Sequence, residues 1–458
     1  MAWPFQSRFA VLTLIFGLAV TCAGQSGSGP AMAADPKIAA VLQQVSAQRI
    51  QANIAKLVSF GTRLTLSAQD PASIAAGHGI GAAREWLKSE FERYSKDCGG
   101  CLEVKTDSFT EQPMDRIPKA TEIINVYAVL KGTDPEESKR MVLVTGHYDS
   151  RNSDTFDVNG DAPGANDDAS GTAVSLECAR VLSKLKFSAT IIFLAVAGEE
   201  QGLNGSAHLA KVAKEQGWNL EAVLNNDIVG GDRSAEQDHS VVRVFSEGVP
   251  NAATEQDIRR IRGLGGESDS GSRQLARYIA DVGRTYDAGV KPMLIFRLDR
   301  YLRGGDHLSF LQQGFSAVRM TEYREDFHHQ HQNVRTENGV QYGDLPKFVD
   351  YDYVANVARL NAATLASLAA APAPPANVHL LTKDLENDST LTWDASPGAS
   401  GYEVLWRATT SPEWEHVQKF GAETRATLKL SKDNVIFGVR AVDPAGHASL
   451  AVVPTPAR

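Results

Sequence analysis

Apolar runs that stop abruptly on histidine or acidic residues mark the stretch between residues 140 and 230. Met141-Val142-Leu143-Val144 leads into Gly146-His147-Tyr148-Asp149-Ser150. The run 191–197 leads into Gly198-Glu199-Glu200, and Ala222-Val223-Leu224 leads into Asn225-Asn226-Asp227. Short continuous apolar runs of this kind read as strands buried on both faces, the signature of a parallel sheet. In open α/β sheets ligands gather outside the carboxyl ends of the strands. Three such ends carrying His, Asp and Glu therefore predict one polar site at one edge of the sheet.

The flanking patterns fit the same class. Ile80, Ala83, Leu87, Phe91 and Tyr94 recur at steps of three and four, a helical spacing. Residues 173–186 and 354–368 also read as helices, the second closing this region of the chain, and 102–109 and 123–130 read as strands. The expected fold is α/β, a mixed but mainly parallel sheet flanked by helices, with a small C-terminal all-β sandwich. No internal repeat or coiled coil is visible.

The pattern changes near residue 373. The segment 369–376, Ala-Ala-Ala-Pro-Ala-Pro-Pro-Ala, predicts a stiff linker. Beyond it, largely alternating runs around Trp393, at 401–406 and at 435–442 are separated by turn formers such as Ser396-Pro397-Gly398. This stretch of about 80 residues resembles a fibronectin type III domain, with Trp393 as the tryptophan of its second strand. Val435 stands where that family usually carries a tyrosine. The expected division is a signal segment at 1–33, a catalytic domain at 34–370, a linker at 371–376 and the sandwich at 377–458. Spacing, stability or attachment to a surface or polymer are the roles such a sandwich suggests.

At the N-terminus Arg8 precedes the apolar run 9–23, which is short for a membrane span, and Ala31-Met32-Ala33 offers a small-x-small cleavage pattern. A cleaved signal peptide, with Ala34 as the mature start and a periplasmic or extracellular destination, is the expectation. No other stretch approaches membrane-spanning length. Export makes Cys98-Gly-Gly-Cys101 a local disulfide, since a zinc ribbon would need a second cysteine pair, and it leaves Cys178 as a buried thiol. A net charge of −9 with no basic stripe argues against nucleic-acid binding.

The candidate chemistry lies in four motifs. His147 and Asp149 stand two apart on an extended segment, so their side chains share a face, and a carboxylate there can fix the tautomer of a ligating imidazole. Asp167 and Asp168 precede a helix, where one carboxylate can cap backbone N–H groups, the role expected of Asp168. Glu199 and Glu200 end a buried strand, where adjacent acids repel unless a cation lies beside them. Asp227 closes a third strand in the same manner.

In that order, with Gly-Ala-Asn-Asp-Asp-Ala-Ser-Gly at 164–171 and a late histidine, the motifs resemble the zinc exopeptidases. That family includes secreted bacterial leucyl aminopeptidases, glutamate carboxypeptidases, glutaminyl cyclases and non-enzymatic transferrin receptors. The resemblance spans most of residues 35–368. It implies two Zn²⁺ ions per chain, His147 and Asp227 on one, Glu200 and a late histidine on the other, and Asp167 bridging them. It implies Glu199 as the general base and Asp149 as the partner of His147. Residues 327–336 offer His328, His329 and His331 for the late ligand. Of these, His331 keeps the family spacing to Thr336, although Arg335 stands where an Asp is common. The Asp306-His307 pair, followed by Ser309-Phe310, reads as a packing or supporting element.

The activity so implied is removal of N-terminal residues from peptides with a free N-terminus. A carboxypeptidase or dipeptidase is the alternative, and it would need a basic pocket for which Arg297, Arg300, Arg303 and Arg324 are candidates. A non-catalytic binding or receptor-like protein is the alternative outside enzymes. It is disfavoured because every metal position and the base are filled.

Overall fold

A computed structural model describes residues 32–383 and 385–457. The expected signal segment, all but its last two residues, lies outside them. Among the described residues no helix is long and apolar enough to cross a membrane.

The central sheet has eight strands: β1 (Leu102–Glu111), β2 (Thr121–Leu130), β3 (Arg140–His147), β4 (Thr190–Val196), β5 (Asn219–Asn226), β6 (Val241–Ser246), β7 (Lys291–Ile295) and β8 (Ala317–Glu322). Their spatial order is β1-β2-β4-β3-β5-β8-β6-β7. The four inner strands β4, β3, β5 and β8 run parallel, so their carboxyl ends share one edge. The β1–β2, β2–β4 and β6–β8 pairings are antiparallel, and β6–β7 is parallel. β6, interrupted by Arg243, and the edge strand β7 carry no strong apolar run and are not evident from the residue pattern.

Helices cover both faces. In chain order they are α1 (Pro36–Leu42), α2 (Ala47–Val58), α3 (Pro71–Ala75), α4 (Gly79–Asp97), α5 (Ala169–Leu182), α6 (Asn204–Glu215), α7 (Glu255–Leu264), α8 (Gly271–Tyr286), α9 (His307–Gln312) and α10 (Tyr351–Ala370). Alternation along the strands explains the continuous apolar runs. Val142 and Val144 of β3, with Ile191, Phe193 and Ala195 of β4, face a core built with α1, α2, α4, α5, α8 and α10. Leu143, Ile192, Leu194 and Val196 face the other way, onto Leu209 and Ala210 of α6 and Phe310 and Leu311 of α9. Both faces being buried, neither can be polar. The predicted helical positions Ile80, Ala83, Leu87, Phe91 and Tyr94 are all buried on α4. Cys98 and Cys101 are joined by a disulfide at the end of that helix, and Cys178 is a buried free thiol.

After the short hairpin β9 (Arg335–Glu337) and β10 (Val340–Tyr342) and the closing helix α10, the chain forms two further sheets. Their strands are β11 (His379–Leu381), β12 (Ser389–Thr392), β13 (Gly401–Ala408), β14 (His416–Phe420), β15 (Arg425–Leu428), β16 (Val435–Val442) and β17 (Thr455–Ala457). The orders are β15-β12-β11-β17 and β14-β13-β16, around a core that includes Trp393, Tyr402, Val404 and Phe437.

The segment 371–376 differs from the expected spacer. Ala371, Pro372 and Pro375 are buried, and Arg140 donates to the Ala371 carbonyl at 3.0 Å. The β-sheet region instead packs directly on α8. Tyr278 Oη donates to the Ala448 carbonyl at 3.0 Å, Arg277 Nε to that of Pro412 at 2.6 Å, and Leu450 joins the main core. Two buried ion-pair groups tie the halves together. Arg407 meets Asp269 at 2.7 Å, while Arg440 lies 2.6 Å from Glu403 and 3.6 Å from Asp281. Proline in the connecting segment thus fixes a corner rather than holding two bodies apart.

Breaking a buried ion pair by deleting one partner leaves an uncompensated charge. Arg440→Ala removes the buried partner of Glu403, leaving it the exposed Lys419 at 3.5 Å, while Asp281 keeps Arg284; it is expected to lower stability towards the lower end of about 3–5 kcal/mol in urea unfolding.

Candidate metal centre

Each candidate residue is delivered by the end of an element. His147 is the last residue of β3, and Asp227 follows β5 directly. Past β4, Gly198 adopts φ 81°, a left-handed conformation that favours glycine, and turns the chain so that Glu199 and Glu200 follow. Asp167 and Asp168 precede α5, with the peptide bond between them cis. Asp168 is the N-cap. It accepts from Gly171 N at 2.9 Å, and also from His147 N at 3.0 Å and Ile228 N at 3.2 Å, tying the ends of β3 and β5 to the helix start. Gly171 closes the motif because a Cβ there would lie 2.1 Å from the Asn226 carbonyl oxygen, so only glycine lets α5 approach β5.

These ends converge on Asp167. Its Oδ1 lies 3.1 Å from His147 Nε2, and its Oδ2 lies 2.9 Å from His331 Nε2. His147 Nε2 is also 3.9 Å from Asp227 Oδ1, and His331 Nε2 is 3.1 Å from Glu200 Oε1. Two ligand groups result, His147–Asp167–Asp227 and Asp167–Glu200–His331, sharing one carboxylate. Of the three late histidines, only His331 reaches this cluster. His329 hydrogen-bonds Asp232 at 2.5 Å and stacks on Phe348, and His328 is exposed with its ring edge-on to Tyr342. Asp232, Asp326 and His329 form a separate group, its imidazole already engaged by Asp232.

Asp149 lies beneath the cluster, fully buried. Its carboxylate is 3.4 Å from His147 Nδ1 and accepts from Thr65 Oγ1 at 2.9 Å, from Glu200 N at 3.2 Å and from Glu199 N at 3.4 Å. The Asp149 carbonyl oxygen takes the Nδ1 hydrogen bond of His147 at 3.1 Å, and the carboxylate beside it fixes the backbone of both glutamates. Asp306 is buried beside the cluster with no hydrogen-bond partner on either carboxylate oxygen, and His307 faces the Leu298 carbonyl at 3.1 Å.

The electrostatics reflect crowding of like charges. Burial pushes Glu199 well above the ordinary glutamate range, with Asp227, Glu200 and Asp306 adding and His147 opposing. Burial likewise raises Asp227 to about 6 against Arg319 and His147. Asp306 rises to about 7 from burial, with Asp149 and Asp227 adding to it. Burial alone would lower His147, but Glu199, Asp149 and Asp167 hold it well above the ordinary range.

The donor set fits a divalent metal. His147 Nε2 is a buried nitrogen with no hydrogen-bond partner, turned towards two carboxylates. Mixed imidazole and carboxylate donors suit zinc.

Four residues of this neighbourhood carry no sequence motif. Arg151 donates from Nε to Glu200 Oε2 at 2.8 Å and from Nη2 to His331 Nδ1 at 2.5 Å. A guanidinium only donates, so Nδ1 accepts and Nε2 is the atom turned to the cluster. Asp344 accepts from the backbone of Asn166 and Asp167, and burial, with Asp167 adding, lifts it to about 7. Arg63, fully buried, donates to the carbonyls of Tyr148, Pro163 and Gly164 and braces both motif loops. Arg319, also fully buried, lies 2.9 Å from Asp227 and 3.3 Å from Asp299. Only Arg319 had a legible signal, a lone cation inside the buried run Ala317-Val318-Arg319-Met320, which demands a buried acid nearby.

The family model of Peptidase family M28 matches residues 125–345. A probable zinc metalloprotease of Pyrenophora teres f. teres is 47% identical over 430 residues, covering 92% of this chain and 88% of that relative. Another from Pyricularia oryzae is 48% identical over 434 residues, covering 92% and 85%. The chain belongs to the M28 peptidases, and it is a zinc metallopeptidase of that family. Its fold is similar to that of the Legionella pneumophila LapA aminopeptidase, with TM-score 0.50 and 20% identity over 73% of this chain and 75% of that one. LapB of the same organism gives TM-score 0.51 and 19% identity over 75% and 77%.

Arg319→Met would leave Asp227 buried without its arginine, while Asp299 keeps Arg300 at 3.2 Å. Urea unfolding of the metal-free variant is expected to show a loss of about 3–5 kcal/mol.

Proposed function

We propose that the protein is a secreted aminopeptidase that uses two Zn²⁺ ions and a glutamate general base. The observation that carries this reading is the division of Asp167, one oxygen turned to His147 and the other to His331. His147 and Asp227 would hold one ion, Glu200 and His331 the other, and Asp167 both. When bound, such a pair would supply a water acidified towards neutrality and a Lewis acid for the scissile carbonyl.

The chain's own residues do the rest. Glu199 takes the proton from the attacking water and delivers it to the departing amine. Asp149 holds His147 and the Glu199 backbone in place. The surplus of carboxylates favours a substrate bearing a free α-amine. A carboxypeptidase would instead need a free cation for a terminal carboxylate. Arg300 is tied to Glu325 and Asp299, Arg324 to Glu236, and Arg303 lies 3.5 Å from Glu325. Arg297 stacks on Tyr301.

The same reading includes export through a cleaved segment at 1–33 and a fibronectin type III-like sandwich at 377–458. The paired three- and four-stranded sheets around Trp393 support the latter.

A panel of aminoacyl-p-nitroanilides, run beside N-acetylated peptides with free carboxyl termini, tests the specificity. Cleavage that needs a free N-terminus, stops on chelation and returns with zinc is expected. Cleavage of the blocked peptides instead would make it a carboxypeptidase, and no turnover with metal bound would make it a binding protein. Glu199→Ala is expected to lower turnover about 10²–10⁴-fold with metal retained. Asp167→Ala should lose metal by elemental analysis, because both ions depend on it.

A further inference from the structure

A second cavity lies at the edge of the central sheet opposite the metal centre. Leu130, in its wall, pairs with Ile191 at the start of β4, whereas Glu199 and Glu200 follow that strand's far end. The strand has 7 residues, so the two sites are separated by about 20 Å at roughly 3.3 Å per residue. The cavity has a volume of about 780 Å³, within the range of small-molecule sites.

Its wall carries six cations: Arg49, Arg93, Lys131, Arg180, Lys184 and Lys186. Asp97 is its one carboxylate. Such a wall is unexpected in a chain of net charge −9. Arg93 and Arg180 are paired, with Glu90 and Glu177. Among the described residues, Arg49, Lys131, Lys184 and Lys186 have no carboxylate within ion-pair distance.

Cations at helix C-termini often do no more than complement the helix dipole, which accounts for Arg93 near the end of α4 and Arg180 in the last turn of α5. It also covers Lys184, the residue after the C-cap of α5, but not Arg49, Lys131 and Lys186. Arg49 lies in the first turn of α2, where the dipole disfavours a cation. Lys131 and Lys186 lie outside helices. Like charges held around a concavity repel and gain from a shared counter-ion, and a cleft lined by one sign of charge concentrates the opposite ion. Tyr94, Leu130 and the Cys98–Cys101 disulfide supply an apolar side to the same wall.

We infer that this cavity binds a small polyanion, carrying two or more phosphate, sulfate or carboxylate groups on a compact body, at a site separate from peptide hydrolysis. The clustered cations hold the anionic groups, and the apolar wall takes the body. Because the site lies at the far edge of the sheet, occupancy does not require the metal centre.

The test is calorimetric titration of the full mature chain with fructose 1,6-bisphosphate, sucrose octasulfate and tricarballylate, in about 0.15 M salt. The same titrations are run on the Lys131→Glu, Lys184→Glu, Lys186→Glu triple variant. These lysines are exposed, so the variant is expected to fold and to hydrolyse peptides as the parent does. Micromolar binding of at least one probe, weakened about tenfold or more in the variant, is expected, and the responding probe tells phosphate, sulfate and carboxylate ligands apart. Equal binding by parent and variant would place the anion at the metals or elsewhere and overturn the inference. No binding below millimolar by any probe would overturn it equally, leaving a solvated basic surface.

Discussion

Uncompensated negative charge at the carboxyl edge of the sheet is the constraint around which this molecule is organised. Asp149, Asp167, Asp168, Glu200, Asp227, Asp306, Glu322 and Asp344 are all buried there, with Glu199 partly so. Charges so placed repel strongly, and each ionised carboxylate has lost its water. Burial raises Asp168, Glu199, Asp227, Asp306, Glu322 and Asp344 together. Arg63, Arg151 and Arg319 answer part of that charge from outside the cluster, but among the described residues no Lys or Arg side chain stands between His147, Asp167 and His331. Divalent metal is what the remaining arrangement accommodates.

The scaffold makes such crowding possible. Parallel strands bring His147, the Glu199-Glu200 pair and Asp227 to one edge without any loop having to span the sheet. Hydrogen bonds from Asp168 to β3, β5 and α5, and the glycine contact between α5 and β5, then lock these ends together. Rigidity at that edge is bought by packing elsewhere: helices on both faces, and the C-terminal sheets clamped onto α8 by buried ion pairs. The C-terminal region is thus part of the body that supports the peptidase.

What the sequence made legible follows from which interactions are local. Strand ends carry their chemistry beside the run that buries them, so His147, Asp149, Asp167, Glu199, Glu200 and Asp227 could be named without a structure. His331 could be singled out from its neighbours by its spacing to Thr336 alone. Contacts between distant segments left no such trace. Arg151 meets His331 across 180 residues, and Asp344 meets Asp167 across 177. The docking of the C-terminal sheets was equally hidden, because a Pro/Ala segment reads the same whether it spans a gap or lines a corner. Strands β6 and β7 lack the apolar runs that betray buried strands, because Arg243 interrupts β6 and β7 is the sheet's edge.

The central claim is that two metal ions flank Asp167. Anomalous diffraction at the zinc edge from crystals of the zinc-loaded protein tests it most directly. The account predicts two peaks, one among His147, Asp167 and Asp227, the other among Asp167, Glu200 and His331. A single peak, or one centred on Asp232, Asp326 and His329 in place of either, would contradict it.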